Sequence, residues 1–424
     1  MAVVDRRLSR AGTSMAAASS PRRGLEAMLA LGVAGVVAWF LVDAVSTALT
    51  YPQTTDYVAF ATGGRVLDWG STCLYCLDTQ ASLQNALLGF HPAFTNLFVN
   101  PPLAALAMRP FGSLALGDGL RIFEVISLLS LAASALLIAW WLIPRDWPAS
   151  RRVLAIAVSV TSLPALTALR IAQWDSLLLL ATVAAVVIVN RSPRAMVMSG
   201  FVLSLLLVKP QLAWLILPVL LVAGLWRLCA GFAAGAAAWL LSSVAIIGPG
   251  QLRTWVDAVR DGGVAHAEDK EGLPGLVAGF GGSTTAAYVA AAVLALGGLW
   301  LCWRMRESLH GDAQGAIAVA IALSVVCSPH TYPDDLILLT VAMVLWCRRA
   351  PLAAIATSAV LSVAWLIDVH LPTVVAWRHV ESLCSGAIVL GLFWAMRTAS
   401  APTIDADAAP PFTSRRAVPR SEPA

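Results

Sequence analysis

Four turns between long apolar runs of this sequence carry ionisable or amide side chains. A carboxylate beside a hydroxyl group can act as a general base, and a lysine and a histidine can stabilise an anionic leaving group. Such a set is suited to group transfer from a lipid phosphate. The side chains concerned are those of Asp56, Gln173, Asp175, Lys209, His330, Asp334 and Asp335.

Each of these groups also has a purely structural interpretation. An aspartate after an apolar run is most often a solvated loop residue, and Lys209 can extend its ammonium toward the membrane interface. His330 can pair with Asp334 or Asp335 and join two helix ends. Charge near a membrane boundary is costly, however, and usually faces a protein interior or a water-filled cavity. A functional role is therefore favoured if the four turns lie on one side of the molecule.

The composition is that of a membrane protein. Of the 424 residues, 59% are hydrophobic and only 12% are charged, whereas soluble domains average about a quarter charged residues. These proportions argue against cytosolic globular, disordered and fibrous proteins. The net charge of +4 does not indicate nucleic-acid binding, because most arginines stand at the ends of apolar runs, where they set membrane topology.

The apolar runs predict an all-α polytopic bundle of about twelve transmembrane helices, within a range of ten to thirteen. The first run, Leu25–Thr47, can span a bilayer and is interpreted as a retained signal anchor. Several later runs are shorter than a full span, so those helices must be tilted or packed inside the bundle. These runs fall near 119–143, 153–171, 176–190, 195–208, 211–225, 229–248, 284–303, 313–327, 335–347, 351–369 and 382–397.

The distribution of positive charge orients the bundle. With the N-terminus in the cytoplasm, most Lys and Arg residues fall in cytoplasmic connections, as the positive-inside rule requires. The four polar turns then share the extracytoplasmic side of a plasma-membrane protein. Residues 1–23 and 399–424 become disordered cytoplasmic tails, and 48–118 becomes an extracytoplasmic loop. In that loop we expect short helices on the membrane surface near 56–68 and 79–90.

Two of the seven cysteines stand apart from the apolar runs. Cys73 and Cys76 form a C-x-x-C motif in the extracytoplasmic loop. A lone pair lacks the second half of a zinc site, and no metal site is predicted. In an oxidising compartment the pair can close a local disulfide, with two free thiols as the alternative.

An ordered set of short motifs resembles the polyprenol-phosphate-sugar-dependent membrane glycosyltransferases of family 87. The best-known members of that family are actinobacterial α-mannosyltransferases, including the phosphatidylinositol mannoside elongating enzyme. The set covers roughly residues 25–397. Its members are Asp56 with Gly63-Gly64, Leu74-Tyr75, Asn100-Pro101-Pro102-Leu103, Gln173-Trp174-Asp175-Ser176-Leu177-Leu178, Lys209-Pro210 and Ser328-Pro329-His330.

The resemblance implies a GT-C fold over residues 24–398, with the helices of the first outer loop above the active site. It implies a polyprenyl-phosphate mannose donor, a lipid or glycan acceptor, and no cofactor. Asp56 would be the catalytic base, and Lys209 and His330 would bind the donor phosphate. The implied substrate-binding residues are Tyr75, Asn100, Gln173, Asp175 and Asp334.

Two positions depart from the family pattern and leave the donor and acceptor open. The family often has a tyrosine where Asn100 stands, and commonly an asparagine or another polar residue in place of Asp175. A transporter or flippase of a lipid-linked or small polar substrate is the alternative function, although it would place polar residues near the membrane midplane. A noncatalytic protein that binds a lipid-linked sugar is a third possibility.

Overall fold

The structure is a computed structural model of the chain. It describes residues 20–70, 73–92, 95–148, 152–153, 156, 162–262, 272–328, 330–350, 352–354, 356–357, 360 and 378–399. Within these ranges the chain is helical and has no β-strand. The predicted C-terminal tail beyond Ala399 and parts of the predicted runs near 153–171 and 351–369 lie outside the described residues.

Seventeen α-helices are used below to locate the site. They are α1 Ser20–Thr50, α2 Tyr57–Asp68, α3 Leu77–Leu88, α4 Pro102–Gly112, α5 Leu116–Leu137, α6 Leu163–Arg170, α7 Asp175–Arg191, α8 Met196–Leu203, α9 Ile216–Val222, α10 Trp226–Ile247, α11 Pro249–Gly262, α12 Gly272–Gly279, α13 Thr284–Arg304, α14 Arg306–Gly311, α15 Ala313–Val326, α16 Thr340–Cys347 and α17 Arg378–Ala399. Short 3₁₀ segments occupy Pro52–Thr54, Pro193–Ala195, Ser204–Val208, Pro210–Leu212 and Pro333–Leu339.

Helix α1 begins earlier than the sequence indicated. Residues 20–23 belong to the segment predicted to be disordered, but they form the first turn of α1. Pro21 is tolerated there because the N–H that proline lacks would have no partner in a first helical turn. Residues 1–19 lie outside the described part of the chain.

Three helical segments of the described residues are long and apolar enough to cross a membrane. They are Leu116–Leu142, Trp226–Ile247 and Thr284–Arg304. Large apolar side chains on all three are exposed, as expected for surfaces that face lipid. Six further apolar helices are shorter. The class of a helical membrane bundle is thus supported, whereas the count of twelve spans stays a prediction.

Several apolar helices are interrupted by 3₁₀ segments. Ser204–Val208 and Pro210–Leu212 separate α8 from α9, and Pro333–Leu339 precedes α16. Pro210 and Pro333 each begin a segment, because proline has no backbone N–H to donate and fits the first position of a helix. Irregular backbone at membrane depth is tolerated only when it is buried in protein. Pro333–Leu339 satisfies this condition by packing against α6, α7 and α15.

The described residues 57–70, 73–92 and 95–112 form a compact unit that we call the loop layer. It contains α2 and α3 close to the predicted ranges 56–68 and 79–90, together with α4. Helix α2 is more enclosed by protein than its mixed apolar and polar pattern indicated, since nine of its twelve residues are buried; its place on the membrane surface stays a prediction. Gly63 and Gly64 explain the difference, because a Cβ there would lie 2.7 Å from the Phe98 ring and 2.4 Å from the Met108 carbonyl oxygen. Phe98 and α4 therefore cover neighbouring positions on α2.

A disulfide joins Cys73 and Cys76 in the turn between α2 and α3, with their Cα atoms 5.4 Å apart. Of the two alternatives left open by the sequence, the structure has the disulfide. The five other cysteines are reduced.

Helices α8 and α10 approach closely through glycines. A Cβ on Gly231 of α10 would lie 1.9 Å from the Val197 carbonyl oxygen, and one on Gly200 of α8 would lie 2.1 Å from the Leu228 carbonyl oxygen. Small residues commonly permit such contact between membrane helices, where van der Waals packing replaces the hydrophobic effect as the driving force.

Replacing Gly231 with leucine is expected to destabilise the α8–α10 pair. Overpacking costs about 1–3 kcal/mol, and here rigid backbone blocks the new side chain. We expect a lower midpoint of thermal unfolding in detergent. Gly297→Leu on α13 is the matched control, because nothing lies within 4 Å of the Cβ position of Gly297. Equal midpoints for the two variants would contradict this packing.

Candidate active site

Asp56 lies in the turn between α1 and α2 and is held from two sides. The Asn96 side-chain amide donates to its Oδ1 (2.9 Å), and the Gln173 side-chain amide donates to its Oδ2. Its backbone N–H donates to the Ile171 carbonyl oxygen (2.8 Å). Both carboxylate oxygens thus accept from neutral amides and keep lone pairs for another donor.

Burial raises the pKa of Asp56 above its usual range, and the hydrogen bond from Asn96 opposes that shift. The negative charge of Asp334 raises the pKa further, while the positive charge of Lys209 lowers it. A carboxylate with a raised pKa is a stronger base while it remains ionised at neutral pH.

The turn that supplies Gln173 has an unusual backbone. Ala172 has φ = 54°, the left-handed region that costs a non-glycine residue roughly 1–2 kcal/mol. Among the described residues it is the one non-glycine with positive φ. Ala172 stands between Ile171, which accepts the Asp56 N–H, and Gln173, which donates to the Asp56 carboxylate. The strained conformation of Ala172 therefore orients the two neighbouring residues that bond to Asp56.

Lys209 lies at the centre of a buried cluster of acids. Its Nζ donates to Asp175 Oδ2 (2.6 Å), Asp334 Oδ2 (2.8 Å) and Asp335 Oδ1 (2.7 Å). The side chains of Lys209 and the three aspartates are at most 6% exposed. An ammonium has three N–H groups, so Lys209 has no further proton to donate in this arrangement. We call these four residues the Lys209 cluster.

The cluster contains more carboxylates than cations. Asp175 Oδ1 is buried and has no hydrogen-bond partner among the described residues. Asp335 also accepts the backbone N–H of Tyr332 through Oδ2 (2.8 Å). Three carboxylates around one ammonium leave the cluster short of positive charge, which is costly for buried groups.

The three carboxylates alone would resemble a cation site, because one oxygen of each lies within 4.8 Å of the others. Lys209 Nζ, however, is bonded to all three aspartates. A metal ion bound by these acids would have to displace that ammonium. The expectation that no metal takes part stays a prediction.

A cavity of about 280 Å³ adjoins the Lys209 cluster. It is mainly apolar, and its lining comes from four separate segments of the chain. The lining residues are Val99, Asn100, Val208, Pro210, Gln211, Trp255, Val256, Val259, His330 and Tyr332. Val208 and Pro210 flank Lys209 in sequence, so the cavity and the cluster share one backbone segment.

Contacts between distant segments shape this cavity. The Trp255 indole N–H on α11 donates to the Val99 carbonyl oxygen (3.0 Å), and the Asn100 side-chain amide donates to the Val208 carbonyl oxygen (3.0 Å). His330 Nε2 lies 3.0 Å from the Tyr288 hydroxyl oxygen. The loop layer, the bundle and α11 therefore meet around one cavity.

A family comparison identifies the class of protein to which this site belongs. The profile of glycosyltransferase family 87 matches residues 98–329, which is more than half of the chain. The chain belongs to glycosyltransferase family 87. No curated protein and no solved structure matches.

As a member of family 87 the chain is a membrane glycosyltransferase. The matched range includes Asn100, Gln173, Asp175 and Lys209, while Asp56 lies before it. The roles assigned to individual residues are not tested by this match and stay predictions.

The structure brings the predicted site residues of this family 87 protein into three adjoining groups. Asp56 and Gln173 form the first, and Asp175, Lys209 and Asp334 belong to the Lys209 cluster. Asn100 and His330 line the cavity. Tyr75 is buried, and its hydroxyl donates to the Asn100 carbonyl oxygen (2.7 Å).

Sequence reasoning missed three residues at the site. Asn96 and Trp255 stand in segments without a motif, and Tyr288 lies within a predicted membrane span. Only their contacts with Asp56, Val99 and His330 identify them, and those contacts join positions far apart in the chain.

Replacing Lys209 with methionine is expected to destabilise the family 87 fold strongly. The change removes the shared cation and leaves three buried acids, and breaking a buried ion pair costs about 3–5 kcal/mol. Thermal unfolding in detergent measures the effect. Arg121→Met is the control, because the Arg121–Asp118 pair is exposed and such pairs contribute little. A Lys209→Met protein as stable as Arg121→Met would show that the cluster is not an ionic support.

Proposed function

We propose that the chain transfers a hexose, namely mannose, from a polyprenyl-phosphate donor to a hydroxyl group of a lipid or glycan acceptor. The observation that carries this proposal is Asp56, a carboxylate fixed through both oxygens, with Gln173 bonded to it from the turn that also supplies Asp175 to the Lys209 cluster. Membership of a glycosyltransferase family favours transfer over the transporter or flippase alternative.

The proposed reaction is a single inverting displacement with Asp56 as general base. The Asp56 carboxylate removes the proton of the acceptor hydroxyl, and the oxygen attacks the anomeric carbon. The bond between that carbon and the phosphate oxygen breaks, and polyprenyl phosphate leaves as an anion. Because this leaving group is stable when ionised, a strong general acid is not required. A positioned base contributes about 10²–10⁴-fold to the rate.

His330 and Lys209 are proposed to stabilise the departing phosphate. His330 lines the cavity, where a protonated imidazole would place positive charge near an anion. Lys209 donates all three N–H groups to carboxylates, so we propose that it exchanges one of these partners for a phosphate oxygen when the donor binds. A group that stabilises developing negative charge contributes about 2–4 kcal/mol.

The proposed reaction takes place on the extracytoplasmic side of the plasma membrane, with the N-terminus in the cytoplasm. The disulfide Cys73–Cys76 supports this orientation, because it lies in the segment predicted to be extracytoplasmic. Disulfides persist in oxidising compartments and are rare in the cytosol.

The cavity is proposed to take the part of the isoprenoid chain nearest the phosphate. Three of its side chains, Trp255, Val256 and Val259, lie on the amphipathic helix α11, and Val256 and Val259 are exposed. At about 280 Å³ it is near the lower limit of roughly 300–1,000 Å³ for ligand sites, so most of a long lipid would remain in the bilayer.

Replacing Asp56 with asparagine or alanine is expected to reduce transfer by about 10²–10⁴-fold, because the base is removed. A membrane assay with labelled polyprenyl-phosphate mannose and its glucose counterpart measures transfer. Asp118→Asn, at an exposed position on α5, is the control. Transfer near the wild-type rate by Asp56→Asn would exclude Asp56 as the base.

The raised pKa of Asp56 also predicts a pH dependence. The base must be ionised, so kcat/KM is expected to fall as the pH decreases through a pKa above the usual value of about 3.9. A profile that stays flat down to the ordinary aspartate range would contradict the assignment.

Filling the cavity by Val259→Trp is expected to weaken binding of long-chain donors. Loss of contact with about two methylene groups, at about 0.8 kcal/mol each, would raise KM about tenfold while changing kcat little. KM is measured with donors of long and short isoprenoid chains. Val293→Trp, on an exposed face of α13, is the control. An equal change for both chain lengths would place the lipid chain elsewhere.

A further inference from the structure

Two glutamines on α3 hold a non-helical segment of the loop layer. Gln84 Oε1 accepts the backbone N–H of Asn96 (3.0 Å), and Gln84 Nε2 donates to the Asn96 carbonyl oxygen. Gln80 makes the same pair of bonds with Phe98, at 2.7 Å to the N–H and 3.1 Å to the carbonyl oxygen. Both glutamines are 1% exposed.

The distance between the two glutamines along α3 matches the distance between the two residues that they bind. Gln80 and Gln84 are four residues apart on α3, which corresponds to a rise of about 6 Å. Asn96 and Phe98 are two residues apart, a separation that spans about 6.6 Å in an extended chain. Each side-chain amide thus replaces the partner strand of a β-ladder, and the two together fix both the position and the register of the segment.

Asn96 carries this arrangement to the proposed base. Its backbone is bonded to Gln84, while its side-chain amide donates to Asp56 Oδ1 (2.9 Å). Asn96 bonds to Asp56 and Gln84, and the proposed mechanism gives it no contact with a substrate. Its position instead determines where one oxygen of Asp56 lies and how strongly the ionised form is stabilised.

The disulfide turn holds the same segment from its other end. The Leu74 carbonyl oxygen, between Cys73 and Cys76, accepts from Gln80 Nε2 (2.9 Å). Tyr75 stacks on Phe98, with ring centroids 6.2 Å apart, and donates to the carbonyl oxygen of Asn100. Opening the disulfide would release the backbone on which these contacts depend.

We propose that Gln80, Gln84 and the disulfide Cys73–Cys76 form a clamp that positions Asp56 through Asn96, so that transfer depends on the redox state of the two cysteines. This inference rests on the proposed role of Asp56 as the base. The members of the clamp are positioning residues. Reduction by a dithiol would break the S–S bond, give two thiols and convert the dithiol to a cyclic disulfide, with two electrons and two protons transferred.

The first test measures the pH profile of kcat/KM in Asn96→Ala and Gln84→Leu. Both variants are expected to move the acidic limb upward by about one pH unit, because the ionised base loses a hydrogen bond. Gln314→Leu is the matched control, since Gln314 donates one weak bond to the Val186 carbonyl oxygen on α7. Thermal unfolding in detergent verifies that each protein is folded.

The outcomes separate the clamp from the proposed function. If Asp56→Asn retains transfer, the assignment of Asp56 as the base fails, and the clamp fails with it because it rests on that assignment. If Asp56→Asn is inactive but folded Asn96→Ala has the wild-type profile, the clamp is overturned. Asn96→Ala leaves both glutamine contacts to the backbone intact, so it remains informative even if Gln84→Leu does not fold.

The second test compares oxidised and dithiol-treated wild-type protein with the double variant Cys73→Ser/Cys76→Ser. Treatment of the wild type is expected to lower turnover and shift the acidic limb in the same direction as Asn96→Ala. The double variant should show the lowered turnover without treatment and no response to the dithiol, although its five other cysteines remain. Unchanged turnover and profile after complete reduction of the wild type would overturn the redox dependence.

Discussion

One ammonium group connects three interrupted helices of this protein. Lys209 stands between two 3₁₀ segments, while its partners come from the first residue of α7 and from Pro333–Leu339. In the low-dielectric interior of a membrane bundle, neither Lys209 nor its acidic partners could remain charged alone. Their mutual pairing therefore fixes the relative positions of the three helix breaks, and the cavity forms beside the segment that carries Lys209.

The same turn serves both the Lys209 cluster and Asp56. Gln173 and Asp175 are two residues apart, and they bind Asp56 and Lys209 respectively. The left-handed conformation of Ala172 immediately precedes them and is offset by these bonds. Charge and geometry are consequently coupled: a displacement of the turn would alter the support of Asp56 and the neutralisation of Lys209 together.

Part of this arrangement could be predicted from single positions. Charged residues beside apolar runs must find partners, so the convergence of Asp175, Lys209 and Asp334 follows from their chemistry. The helices α2 and α3 follow from local pattern. The burial of α2 could not be predicted, because it depends on Phe98 and Met108 meeting Gly63 and Gly64. The disulfide was undecided for a similar reason, since spacing alone does not establish the distance between two thiols.

The two oxygens of Asp56 are bonded to different parts of the protein. Asn96 belongs to the loop layer, whereas Gln173 belongs to the bundle that also holds Lys209. The carboxylate is therefore oriented only when the layer is seated on the bundle. The orientation of Asp56 thus depends on the interface between the loop layer and the bundle, and the hydrogen bonds of Trp255 and Asn100 also cross between these segments. A base held in this way can respond to anything that shifts the layer, and the glutamine contacts of α3 limit that shift by tying the backbone of Asn96 in place.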